Sequence, residues 1–184
     1  MALSAPEQRL LDEYGIVLPT SISKPGGNFL PFRRHGDVVY ISGRIPEILT
    51  GSELIQDEAK ASAKGLTAPA DHTQFVCGKV GAEVSLELAQ VAARLCCVSL
   101  LRNLKLACPG GDLGKIKAFL NVQGFVNGEP LFGDHPKVIN GCSDMLCDLF
   151  GAEIGAHSRF AVGSGSLPRG VSVEVAAVVA VAES

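Results

Sequence analysis

The sequence predicts an α+β fold: one β-sheet, two main helices packed on one of its faces, and further copies of the chain against the other. Three observations lead there. The long elements run strand, helix, strand, helix and then two strands, and two helices cannot cover both faces of such a sheet. The last strand is apolar in both phases of its alternation, with Val171, Val173 and Val175 on one row and Ala176, Val178 and Ala180 on the other, so neither face suits water. The chain has 184 residues, about one domain, of which 47% are apolar and only 19% charged; with a mean hydropathy of +0.27 it carries more apolar surface than one domain ordinarily hides. Subunits packing sheet to sheet would cover the excess.

The elements follow in order. Residues 5–14, "APEQRLLDEY", read as a short helix, and 1–27 as that helix with its linker. "SKPGGNFLPF" (23–32) is punctuated by Pro and Gly and reads as loop or edge strand. Asp37 to Ser42 make a compact strand, Gly43 a bulge or turn, and Pro46 a stop. Residues 47–76 show little periodicity and read as an extended loop excursion, weakly ordered, with room for a short helix near 56–64. Residues 85–107 are the clearest helix: Ser85 can cap it, Glu87 suits its first turn, and "CPGG" ends it. "IKAFLNVQGFVN" (116–127) reads as a strand. Residues 134–151 read as a second helix, with Pro136 early and Gly151 as its C-cap. Two strands follow, and a single domain spans 1–184.

Composition excludes several classes. No window reaches the eighteen or so apolar residues of a membrane span, and the first residues lack the layout of a signal peptide. The six cysteines match no paired CxxC framework and read as reduced, buried thiols of a cytoplasmic protein. His35 and His72 lie in predicted loops without ligand-spaced partners, so no metal and no cofactor is expected. The net charge is −3 and basic residues do not form a stripe, which disfavours nucleic acid as a partner. "GSGSLPRG" lacks the lysine-serine pattern of a phosphate loop and reads as a turn.

The last two strands pose a question. In "AHSRFAVGSGSLPRGVSVEV" (156–175) nearly every strand residue is small or apolar, yet Arg159 and Glu174 are charged. Folded about Ser166–Leu167 as a hairpin, the two stand opposite each other. Phe160 and Val162 then join Val171, Val173 and Val175 on the helix-covered side, while His157, Arg159 and Ala161 join Ser172, Glu174 and Ala176 on the other. A cross-strand ion pair accounts for the charges: exposed, it contributes about 0–1 kcal/mol; buried, it is held at a desolvation cost. A binding site is the second account. Arginine suits a planar carboxylate, a nearby glutamate can orient or deprotonate water, and Ala161 and Ala176 leave room for a ligand.

The stretches "VVYISGRIP" (38–46), "GKVGAEVSLELAQVAAR" (78–94), "GDLGKIKAFLNVQGFVN" (111–127), "HPKVINGCSDMLCDLFG" (135–151) and "HSRFAVGSGSLPRGVSVEV" (157–175) together resemble the YjgF/Rid family, also called endoribonuclease L-PSP. The last is the most specific, since it holds an Arg, a Leu-Pro and a Val-Glu at the family's spacing. "GKVG" and "VINGCSD" point to a longer subgroup, distinct from the best-known imine deaminases. The resemblance implies a chorismate-mutase-like mixed sheet and a homotrimer with clefts between subunits. It implies a hydrolase that turns small reactive 2-imino or enamino acids into 2-oxo acids and ammonia. Arg159 would bind the substrate carboxylate and Glu174 would assist the water; Ser42, Phe29 and Ala161 would line the cleft. Four positions depart from the deaminases: Phe29 replaces a tyrosine, Arg44 a glutamine, Ala161 a cysteine and Gly163 a glutamate. Two other functions fit the same residues: a non-catalytic trimer that binds a small carboxylate metabolite, and the RNA cleavage or translation inhibition of the family's older name.

Overall fold

A computed structural model describes residues 2–19, 26–51, 53–67 and 72–183. Its strands are β1 (Phe32–His35), β2 (Val38–Arg44), β3 (Ile116–Val126), β4 (Ser158–Gly163) and β5 (Val173–Val181), and its α-helices are α1 (Ala5–Tyr14), α2 (Glu58–Ala63), α3 (Leu86–Ala107) and α4 (His135–Gly155). The five strands form one sheet in the order β1-β2-β5-β3-β4. All neighbours are antiparallel except β3 and β4, which run parallel. The class is α+β, as the element order implied.

Local chemistry sets the elements. The Ser85 hydroxyl accepts from the Leu88 amide at 3.2 Å and opens α3 beside Glu87. α4 begins at His135 after Asp134, one residue before the start that Pro136 suggests, so Pro136 takes its second position instead of its first. Gly151 does interrupt α4, with φ +76° and ψ 164°, a conformation open to glycine. One further turn then runs to Gly155. In β2, the step from Ile41 to Arg44 spans only Ala177 to Val175 on β5, so the bulge falls at Ser42–Gly43.

The hairpin expected for 156–175 does not form. β3 lies between β4 and β5, pairing Val122 with Arg159 on one side and Phe125 with Glu174 on the other. The reason is topological: β3 and β4 are joined through a long helix, a connection that produces parallel neighbours. The link from 164 to 172 crosses the end of β3 instead of turning tightly. It is held there by Ser164 N–H to the Val126 carbonyl (2.8 Å), Asn127 N–H to the Ser172 carbonyl (2.9 Å), and Lys79 Nζ to the Gly165 carbonyl (3.0 Å).

Val173, Val175, Ala177, Val179 and Val181 form the buried row of β5, under α3, while α4 lies over β3 and β4. The opposite face of the sheet stays open and largely apolar. Tyr40, Phe160 and Val162 are 52%, 39% and 42% exposed, and Phe125 packs edge-to-face on Phe160 at 5.7 Å. Phe160 and Val162 are thus on the open face and not under the helices, the reverse of the hairpin expectation. Ser172 is fully buried, its hydroxyl bonded to the Val76 carbonyl at 3.0 Å.

The described parts of the 47–76 excursion (47–51, 53–67 and 72–76) are packed rather than loose. Ile48, Leu49, Leu54, Ala61, Leu66 and Val76 all join the core. Asp57 caps α2 by accepting from the Lys60 amide, and Glu47 bridges to Phe75. At the other end of the core, the Lys105 ammonium meets the Glu7 carboxylate at 2.6 Å, with both side chains buried. Among the described residues, no helix is long and apolar enough to cross a membrane.

Two glycines fix how closely α4 lies. A Cβ on Gly124 would come within 2.5 Å of Ile139 Cγ1, and one on Gly141 would strike the Gln90 backbone of α3. Gly124→Ala is therefore expected to destabilise the fold by about 1–3 kcal/mol through overpacking. Ile139→Val in the same chain should restore part of the loss. Urea midpoints at one fixed protein concentration would test both, and an unchanged midpoint for Gly124→Ala would contradict the close approach.

Candidate functional site

The bulge of β2 and the start of β5 open onto a cavity of about 510 Å³. The excursion walls it with Glu47, Gln74 and Phe75, the 164–172 link with Pro168 and Arg169, and the segment before β1 with Phe29. Glu174 reaches this cavity from β5. A Cβ on Gly43 would overlap its carboxylate, so only glycine leaves that space free. Among the described residues the Glu174 carboxylate has no hydrogen bond or ion pair. Burial pushes its carboxyl above the usual carboxylate range, and the Arg44 charge pulls it partly back. The group therefore takes up a proton more readily than a surface glutamate, as suits one that exchanges protons with a ligand.

Arg44 borders the same cavity, near enough to act on this carboxylate, and is only 8% exposed. Its Nε donates to the carbonyls of Ser42 (3.1 Å) and Gly43 (2.9 Å), holding the bulge in shape. The Ser42 hydroxyl donates to the Leu30 carbonyl at 2.7 Å, tying the loop that carries Phe29 to β2. At the rim, Arg169 has φ +58°, rare for a residue with a side chain, and its guanidinium lies 5.1 Å from the centre of the Phe75 ring.

Arg159 is elsewhere. On β4 it faces α4, where Nη1 donates to Asn140 Oδ1 and Ser143 Oγ, both at 2.9 Å, and Nη2 to the Pro136 carbonyl at 3.3 Å. All three acceptors are uncharged, and no carboxylate among the described residues pairs with it. The guanidinium is thus fixed in direction while its charge remains uncompensated. His157 extends the network. Its Nδ1 is 2.6 Å from the Gly155 carbonyl, which can only accept, so Nδ1 carries the proton and Nε2 accepts from Ser143 Oγ at 2.9 Å. Burial lowers the His157 pKa and the Arg159 charge adds to the lowering, which together favour that neutral form against the opposing effect of the Gly155 bond.

The site residues named from sequence therefore fall into two groups. Phe29 and Glu174 share the cavity, with Ser42 bracing it. Arg159 and Ala161 lie together on β4, where Ala161 packs partly against the core. Arg159 and Glu174 are not cross-strand neighbours. Two strand spacings (about 9.5 Å) and three residues along β3 (about 10 Å) separate their backbones, and they stand on opposite faces of the sheet. One small molecule cannot touch both within a single chain.

Sequence reasoning missed Asn140 and Ser143, named Arg44 only as a departure from the deaminases, and gave Arg169 and Phe75 no place. Asn140 and Ser143 are three apart on one face of α4, and a helix joining two parallel strands lies over them; that combination was readable. The positions of Phe75 and Arg169 depend on how two irregular segments pack, which no periodicity encodes.

Comparison with known proteins agrees with this architecture. Residues 69–180 match the family described as "YjgF/chorismate mutase-like, putative endoribonuclease". Protein TCP17 of Trypanosoma cruzi is 31% identical over 169 residues, 92% of this chain and 90% of its own. The crystal structure of Atu1372 from Agrobacterium tumefaciens, a protein of unknown function, is 34% identical with a TM-score of 0.74, covering 97% of this chain and 94% of that one. A Shewanella oneidensis protein with the same endoribonuclease description is 25% identical with a TM-score of 0.76, covering 97% and 100%.

The raised Glu174 pKa sets a pH signature. Between the ordinary carboxylate value and its own, the folded chain holds a proton that the unfolded chain has released, so this group's contribution to stability falls as pH rises through that window. His157, with its lowered pKa, has the opposite sign: its contribution is lost as pH falls below the ordinary imidazole value. Subtracting the wild-type stability curve from that of Glu174→Gln isolates the glutamate. The difference should grow with pH across the window just above the usual carboxylate range. A flat difference by chemical denaturation would mean that Glu174 titrates normally.

Proposed function

The chain belongs to the YjgF/chorismate-mutase-like family, and on that premise we propose that it hydrolyses small reactive 2-imino or enamino acids to 2-oxo acids and ammonia, in clefts between copies of itself. The observation that carries this reading is Arg159: an arginine aimed by three neutral acceptors, with its charge uncompensated. That arrangement suits a ligand carboxylate, which would bring the missing negative charge and bond the guanidinium side on.

The second half of the site is the cavity with Glu174. Copies packed with the β4 edge of one, where Arg159 sits between sheet and α4, against the open face of the next, with its Tyr40, would bury that surface and bring Arg159 toward the neighbouring cavity. A homotrimer with three such clefts fits this reading. A carboxylate seated on Arg159 places the adjacent imine carbon at the cavity mouth. Glu174 takes a proton from water as the oxygen bonds to that carbon. Glu174 hands that proton to the imine nitrogen, giving the neutral carbinolamine; it then passes the hydroxyl proton to the same nitrogen as the C–N bond breaks, the C=O bond forms and ammonia leaves. Phe29 would close over the ligand from the loop that Ser42 braces.

Imine generated in situ by an amino-acid oxidase, with 2-oxo acid release followed, tests the reading. The wild-type chain should accelerate release. Arg159→Ala should lower kcat/KM by about 10²-fold, the scale of losing one partner of a charged pair. Glu174→Gln should lower kcat by about 10²-fold or more. Both variants should keep the wild-type oligomeric state by light scattering. Equal rates for wild type and Arg159→Ala would sink the hydrolase reading. Tight 2-oxo acid binding with no turnover of any imine would favour a carboxylate-binding trimer instead.

A further inference from the structure

We propose that the cavity at the β2 bulge receives a second anionic group of the ligand, with Arg44 as its receptor, so that the protein selects short dicarboxylic acids over monocarboxylic ones. The inference rests on the reading of Arg159 as the anchor of the first carboxylate.

Arg44 is a buried guanidinium with unspent donors. Nε is committed to two carbonyls, whereas Nη1 and Nη2 have no hydrogen-bond partner among the described residues. Yet the side chain is 8% exposed and borders a cavity of about 510 Å³. These terminal nitrogens are not sealed off in the protein; they open onto the cavity, where a charged donor suits an anionic acceptor. The neighbouring acids do not meet the need. Glu47 is already bound by Arg102 Nη1 at 3.2 Å. Glu174 lies near enough for Arg44 to act on its charge, but the two form no ion pair.

Glu47 also lines the cavity and acts on the Arg44 charge, but it is shared with Arg102, so Arg44, Arg102 and Arg169 stand against two glutamates, Glu47 and Glu174. The cavity therefore holds one positive charge in excess. Arg169 strengthens the case because its backbone is held at φ +58°. Strained backbone of this kind clusters at functional sites; here it accompanies a second guanidinium at the mouth. The cavity also falls in the size range of small-molecule sites, about 300–1,000 Å³, and has room for an acid longer than the smallest imino acids. Phe29 and Phe75 supply apolar walls for its carbon chain.

Calorimetric titration of the full chain with 2-oxoglutarate and 2-oxobutyrate tests this, since the two probes differ chiefly in the distal carboxylate. Wild type should bind 2-oxoglutarate about tenfold or more tightly, the scale of a charge-assisted hydrogen bond. In Arg44→Gln the ratio of affinities should collapse to within about twofold. In Arg159→Ala both affinities should fall while the ratio survives. No preference in wild type, or a preference that outlives Arg44→Gln, would overturn the proposal. The wild-type comparison does not depend on any variant folding. If 2-oxoglutarate binding needs Arg44 but not Arg159, the cavity reading stands and the Arg159 anchor falls. Failure of imine hydrolysis leaves the affinity ratio as evidence for the cavity.

Discussion

The depth at which α4 settles onto the sheet is the constraint on which the rest depends. Gly124 offers Ile139 a place that any side chain would fill, and Gly141 lets α3 press backbone to backbone against the same helix. The helix is seated from two directions within one turn. Asn140 is the residue between those two contacts, and Ser143 is three further along the same face. Their oxygens consequently stand 2.9 Å from the Arg159 guanidinium with little freedom to drift. A packing decision in the core thus becomes the aim of a charge at the surface.

The molecule treats its two notable arginines in different ways. Arg159 is partly exposed and oriented through its terminal nitrogens, so neutral oxygens fix it and water screens part of its charge. Arg44 is buried and oriented through Nε, which leaves its terminal nitrogens toward the cavity. The first has its aim set by bonds to the reactive end of the guanidinium; the second keeps that end open. Glu174 sits between burial, which favours its acid form, and Arg44, which favours its carboxylate. Gly43 gives it the room to do either.

Much of this was legible in the sequence, and the failures have a common cause. The Ser85 cap, the bulge at Ser42–Gly43 and the break at Gly151 are local chemistry, decided within a few residues, and each falls where the sequence put it. Alternation gave the burial phase of Val173, Val175 and their row for the same reason. It could not say which strand lies beside which. Arg159 and Glu174 were placed together because their segments are consecutive, whereas the helix between β3 and β4 forces those strands to be parallel neighbours and inserts β3 between the charges. The excursion was misjudged in the same way: its apolar residues lack period because it packs as an irregular layer, and only the folded core gives Leu49, Leu66 and Val76 their partners. Non-local pairing is the information that composition and periodicity omit.

The placement of Arg159 and Glu174 on opposite faces of one sheet also bears on symmetry. A site made from two unlike patches is never completed by a twofold contact in which each patch meets its own image. Under the proposed reading every contact is head-to-tail, and each copy offers a donor patch to one neighbour and an acceptor patch to the other. Such contacts either close into a ring, where sites and subunits are equal in number, or continue without end as a filament. The twist of the sheet and the shape of its apolar face then matter beyond stability, because they set the rotation per step and so whether the ring closes.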